Sequence, residues 1–314
     1  AEAPSLARLD PTGKRPVVCV VLSTDAAANV GAKGQSGPER AAKLGRAVSA
    51  ILSEGHPLLL CLNPSTLPTF GEPDPMVAAL ASFGLTADTG KTLLKERFTA
   101  DGRHVDTAQT LVASPSEHPI ARAVQGLPTR FEWPVAIKPA AAKEPGVSAS
   151  RSTPLYVIDD KAVWAESQWL TYWQIRSQDQ DSSPNKPTRD ALRDESGVPW
   201  TIMTAATRPV AGEADQRLIV VGSNTWFMDR IAQERTLVDG RPALTNPGNA
   251  ELFEASVYWL AGQDEMISSS ATARAVPLIR PLRGGTLLAL RWLAIAGLPG
   301  AVLLLGMVWR LIRG

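Results

Sequence analysis

Two cysteines, Cys19 and Cys61, are too few for a disulfide-stapled scaffold or a multi-cysteine zinc module. Three histidines, His56, His104 and His118, confine any imidazole chemistry to three places. Neither sign of charge is in excess: 32 Lys and Arg stand against 31 Asp and Glu, a net charge of +1. A chain so balanced has no global field to hold it on nucleic acid, and no nucleic-acid partner is expected. Charged residues make up 20% and apolar residues 44% of the 314, which excludes disorder throughout and allows a proper core. At about 100–200 residues per domain, the length suits one large domain or two ordinary ones.

The apolar residues recur in a βα pattern. Val17–Leu22 is a β-branched run, followed by a loop with Gly31, Gly34 and Gly37. Pro38 suits a first helical turn, and Leu44, Val48, Ile51 and Leu52 keep helical spacing up to Gly55. Leu58–Leu62 predicts the next strand, and Asp74-Pro75 opens a helix that Gly84 closes. Strands recur at Leu155–Ile158, Thr201–Ala205 and Arg217–Val221. Asn249 is the expected cap of a last helix whose Leu252, Ala255 and Trp259 share a face and which Gly262 ends. Continuous apolar strands alternating with helices predict an α/β fold, a mostly parallel sheet covered on both faces. The expected layout is a first α/β region over 1–137, a connector over 138–150 and a second region over 151–267. The second region holds a polar insertion at 176–197.

The end of the chain differs. Residues 268–283 read as a tether. Trp292–Trp309 carries eighteen residues without a charge, closed by Arg310 and Arg313. As a helix that run spans about 27 Å, close to the hydrocarbon thickness of a bilayer. A transmembrane anchor over 284–314, with residues 287–309 in lipid, is the expectation. Pro299 is tolerated better in a membrane helix than in a soluble one. The charges flanking the segment do not decide which side of the membrane the body occupies.

Each chemical motif has a plain structural alternative. The Gly31/Gly34/Gly37 spacing is not the G-x-G-x-x-G of a dinucleotide loop. Gly90-Lys91-Thr92 ends like a phosphate loop, but Leu85 stands where its first glycine belongs. Cys61, just after a strand run, is where a thiol nucleophile could stand, yet Leu60 and Leu62 flank it and no small-residue elbow surrounds it. Asp159-Asp160 reads as a cation ligand or as a solvated turn. Trp164, Trp169 and Trp173 read as a sugar-stacking strip or as core. In an open α/β sheet a ligand lies beyond the carboxyl ends of the parallel strands. That rule nominates Ser23, Asp25, Asn63, Ser65, Ser223 and Asn224 as ligand-binding residues. No catalytic residue, metal ligand or cofactor is assigned.

Several stretches together resemble a known family. They are Glu54–Leu60 with Asn63-Pro64, Phe83-Gly84-Leu85, His118-Pro119-Ile120, Val163–Glu166, Arg217–Phe227 and Asn249–Gly262. In that order they resemble the auxiliary component of ABC-type transport systems, of the gliding-motility auxiliary type. The resemblance implies a Rossmann-like, amidotransferase-like domain without a working catalytic site. It also implies a place outside the cytoplasmic membrane, and permease and ATPase subunits as partners. Two departures stand out: members usually carry an upstream membrane helix, and they commonly have an acidic residue where Ser223 and Asn224 occur here. The alternatives are an amidotransferase-like or hydrolytic enzyme using Cys61, and a glycan-binding protein using the tryptophans.

Overall fold

The computed structural model describes residues 17–24, 36–140, 150–178, 186–210, 214–238 and 240–267, with short pieces between 291 and 313. The chain divides into a unit of residues 1–273 and a C-terminal unit of residues 274–314.

The main sheet grows around β2 (Leu58–Cys61), whose four side chains are all buried. It pairs in parallel with β1 (Cys19–Leu22) on one side and with β13 (Gln216–Val221) on the other. Its alternating residues feed two cores. Leu59 and Cys61, with Ile219 and Val221, face a cluster that includes Leu252, Ala255 and Trp259 of the helix Gly248–Leu260. Leu58, Leu60 and Leu62, with Leu218 and Val220, face Val48, Ile51 and Leu52 of α1 (Gly37–Ser53). A strand covered on both faces has no polar side, which is why the run reads as continuously apolar. Each leucine fully removed from water contributes about 1.5–3 kcal/mol.

α1 begins with a reciprocal capping box. The Ser36 hydroxyl accepts from Glu39 N, and Glu39 Oε2 accepts from Ser36 N at 2.8 Å. α2 (Pro75–Ala78) starts on Asp74, whose carboxylate accepts from Met76 N, and continues as a 3₁₀ turn over Ala79–Phe83. Gly84 then turns the chain with φ of 68° into β3 (Leu85–Ala87).

The expectation of a mostly parallel Rossmann-like sheet is corrected here. Only β1, β2 and β13 run in parallel. Beyond β13 the sheet turns antiparallel: β12 (Trp200–Arg208) opposes β13, β8 (Ile137–Pro139) and β9 (Arg151–Ile158), and β3 opposes β8. The strand order is β1-β2-β13-β12-β8-β3, with β9 also on β12. β12 reaches β13 through the few residues 209–215, too few for the dozen or more that a parallel crossover needs. A second sheet has the order β11-β10-β4-β5, formed by β4 (Thr92–Thr99), β5 (Gly102–Asp106), β10 (Val163–Glu166) and β11 (Glu195–Ser196). A ribbon of β6 (Ala108–Leu111) and β7 (Thr129–Glu132) and a hairpin of β14 (Arg235–Val238) and β15 (Arg241–Leu244) complete the strands described.

The transmembrane helix expected over 284–314 is also corrected. Among the described residues no helix is long and apolar enough to cross a membrane. Most of the run 287–309 lies outside the described residues, and the pieces described are short. Asn249 is not the cap of the last helix; Pro247 holds that position. The Asn249 amide instead bonds Arg130 N, Arg130 O and Trp226 O, tying the helix to β7.

Gly222 closes β13 against the segment leading into β8. A Cβ there would stand 2.1 Å from Val135 O, a backbone atom. Gly222→Ala is therefore expected to cost about 3 kcal/mol, read as a lower denaturation midpoint at unchanged slope. A cost within 0.5 kcal/mol of zero, about that of an ordinary surface change, would contradict this packing.

Candidate functional site at the strand ends

The parallel strands place their C-terminal ends together. Ser23 N donates to Cys61 O at 2.9 Å, and Leu62 N to Val221 O at 2.7 Å. Asn224 Nδ2 donates to Ser23 O at 3.0 Å. Ser23, Asn63, Ser223 and Asn224 thus share one edge of the sheet, as the strand-end rule predicts. Asp25 lies outside the described residues. The side chains described there serve mainly the fold: Ser223 is fully buried and its hydroxyl donates to Glu132 O at 2.8 Å. Ser23 Oγ and Asn224 Oδ1 are buried without a hydrogen-bond partner.

Ser65 leads away from this cluster. Its backbone N donates to Thr89 O at 2.7 Å and its hydroxyl accepts from Leu67 N. Through that bond the loop after β2 meets the turn between β3 and β4, and two adjoining concavities form there. One is a groove of about 490 Å³, lined by Pro68, Val77, Ala81, Leu85, Ala87 and Asp88 among others. The other is a cleft of about 550 Å³, lined by Pro68, Thr69, Asp88, Gly90, Lys91, Ser167, Gln168 and Arg193. Pro68 and Asp88 belong to both, so the two adjoin.

Three elements hold the cleft. The Trp169 indole N–H, at the start of the helix Trp169–Gln178, donates to Gly90 O at 3.1 Å. Ahead of that helix, Gln168 N donates to Glu166 Oε1 and Ser167 N to Asp194 Oδ1. Burial pushes the Glu166 carboxyl above the ordinary glutamate value, against these hydrogen bonds. Lys91 lies 3.3 Å from Asp88 and 3.5 Å from Glu195. Partial burial works against its ammonium, but the two carboxylates outweigh it and hold its pKa above the ordinary lysine value. Arg193 reaches only Asp190, at 3.8 Å, and its side chain is 64% exposed.

The remaining sequence candidates separate. Lys91 of Gly90-Lys91-Thr92 is held by carboxylates, and Thr92 is buried with its hydroxyl on Pro134 O. This turn feeds the strand β4, not the helix that a phosphate loop requires. Gly31 and Gly34 lie outside the described residues, and Gly37 opens α1. Asp160 pairs with Lys95 at 2.8 Å, which holds its carboxyl low. Among the described residues no cluster of three metal-ligating side chains occurs. Trp164 and Trp169 are 3% and 2% exposed, and half-buried Trp173 packs on Trp133 at 4.7 Å. These indoles are packing groups, not an open stacking strip.

Cys61 is fully buried, and burial pushes its thiol up to about 12, with the Trp226 indole acting the other way. A nucleophilic thiolate needs the opposite. The histidines are engaged elsewhere: His56 with Glu54 at 3.3 Å, His104 with Asp101 at 3.2 Å, and His118 against the Trp259 ring at 4.9 Å.

Arg193, Ser167 and Gln168 were not found by sequence reasoning. Arg193 falls in the polar stretch 176–197, read as an exposed insertion. The available signal was Asp190 and Asp194 bracketing it. Asp190 Oδ1 accepts from Leu192 N and Asp194 Oδ2 from Asp190 N, a self-bonding turn that fixes the segment.

Two measurements check this description. Native protein at pH 8 is expected to leave Cys61 unlabelled by a thiol reagent that modifies it fully after unfolding; native labelling of Cys61 as fast as a free thiol would contradict the burial. His118 Nδ1 accepts from Ile120 N at 3.3 Å and caps the helix Pro119–Ala123, a bond that protonation abolishes. Burial, helped by Arg217 and opposed by Asp264, lowers the His118 pKa from 6.5 to about 4. The unfolded chain then binds more protons between those values, so stability is present above pH 6.5 and falls as pH drops toward 4. His118 is expected to contribute roughly 1–2 kcal/mol of that loss, allowing for its partial exposure. His118→Asn, which keeps a capping side chain, should flatten the slope; an unchanged slope would contradict the assignment.

In comparison with known proteins, no family model matches the chain, and neither does any curated protein. Among solved structures it is similar to the mmIFT52 N-terminal domain, at 11% identity over 70% of this chain and 71% of that one, with a TM-score of 0.40.

Proposed function

We propose that this chain acts by binding, as a non-catalytic, extracytoplasmic auxiliary subunit of an ABC-type transport complex. The observation that carries the reading is a contrast. Strand-end loops build an open, polar cleft of about 550 Å³, whereas the thiol that could have served as a nucleophile is sealed in the core. Open clefts with a few convergent polar groups are where small molecules and partner segments are held. The transport assignment rests on the ordered segments that resemble the auxiliary family. In this fold they are the end of α1 with β2, the turn into β3, the start of the helix Pro119–Ala123, β10, β13 with its turn, and the last long helix. The lysine of Gly90-Lys91-Thr92 is already neutralised by Asp88 and Glu195, so nucleotide binding falls to a partner ATPase.

Affinity purification of the tagged full chain from mildly solubilised membranes of its own cell is expected to recover a permease and an ATPase. Recovery of neither, with the chain intact and folded, would contradict the transport assignment.

A further inference from the structure

The strongest unused feature is the outer edge of the main sheet. Among the described strands β3 is the last, paired with β8 alone. Ala140 N donates to Gly84 O, and Asp88 N to Ala136 O. With those bonds four residues apart, Thr86 is the position between them that also faces β8. The N–H and C=O groups of Leu85 and Ala87 therefore point outward, to the side of the 490 Å³ groove that both residues line. The opposite wall is Val77, Ala78 and Ala81, from α2 and the 3₁₀ turn after it. Small side chains there leave room above an edge strand that carries neither a Lys nor a Pro within it to blunt further pairing.

The groove is apolar and runs into the polar cleft past Pro68 and Asp88. Of the two cations that line that cleft, Lys91 is engaged by Asp88 and Glu195, whereas Arg193 meets only Asp190 at long range. Arg193 is the charge held most loosely, at 3.8 Å from its nearest acid. At the rim, Phe70 ends the 3₁₀ turn that begins at Pro68, and it is 75% exposed. An exposed aromatic beside a groove is a common anchor of interfaces.

We propose that the β3 edge and its groove receive an extended peptide segment of a protein partner, added as an antiparallel strand. Its small or branched apolar side chains enter between β3 and the Val77–Ala81 wall. An acidic residue at its N-terminal end reaches Arg193 beyond the C-terminal end of β3. Main-chain bonds to half-buried Ala87 supply affinity, Leu85 at 3% exposure forms the floor of the groove, and the alternate side chains and the acidic end supply specificity. The inference rests on the binding reading, but not on the partner being a transporter.

The test uses the folded full chain and a blocked hexapeptide of two glutamates followed by alternating valine and alanine. Two further peptides replace the glutamates by lysines or reverse the order. Titration followed by amide NMR is expected to shift Leu85, Ala87 and Asp88, with the acidic-first peptide binding tightest. Ala87→Pro removes an outward N–H that the sheet does not use, and should weaken binding about tenfold. Arg193→Glu, at an exposed side chain, should weaken the acidic peptide and not the lysine peptide. Absence of shifts at about 1 mM peptide, shifts centred on another strand edge, or affinity unmoved by both variants would overturn the proposal. Loss of co-purified transport subunits would bear on the transport assignment alone.

Discussion

The main sheet is arranged around a strand with no wet side. Leu58, Leu59, Leu60, Cys61 and Leu62 are all fully buried, between parallel neighbours and beneath helices on both faces. Burial at that density leaves no place in the sheet for a charged or reactive group, because an unpaired polar atom there costs about 1–3 kcal/mol. The charged side chains that line the concavities sit instead on the loops where the strands end. The thiol of Cys61 pays for its position by losing acidity, whereas Lys91 and Arg193, held on turns, keep their charge in reach of solvent.

The strand-end loops are braced from below. Gly222 lets the backbone of β13 pass against Val135, and Val135 N in turn donates to Gly222 O. From Val135 the chain runs through Ala136, which accepts from Asp88 N, into β8 and the β3 edge. A single close approach thus connects the parallel half of the sheet to the groove. Beside this brace Ser223 and Asn224 donate to the carbonyls of Glu132 and Ser23.

Much of the first layer was legible. β2, β9, β12 and β13, the helix closed before Gly55 and the Asp74 cap are written in apolar runs and capping residues. Strand direction was not. An apolar run such as Thr201–Ala205 reads the same whichever way its neighbour runs, and only the short link over 209–215 reveals the antiparallel return. β3 and β8 are three residues each, below the length at which a period can be read. β4 keeps its alternation mixed, buried at Thr92–Leu94 and exposed from Arg97 onward. For the site, the strand-end rule leads to one edge of the sheet, where the side chains described serve mainly the fold. Ser223 and Asn224 bond to backbone carbonyls, whereas Arg193 and Gln168 arrive from distant sequence that no local pattern connects to Lys91.

The account stands on recognition taking place at the loops beyond the strand ends. Thr69 is an exposed cleft residue, and Val112, 55% exposed, lies outside the groove and the cleft. A photoreactive amino acid placed at each position in turn, in the full chain in its native cells, addresses that claim directly. Covalent capture of a protein partner from position 69 and not from position 112 is the predicted result. Capture from 112 alone would contradict it.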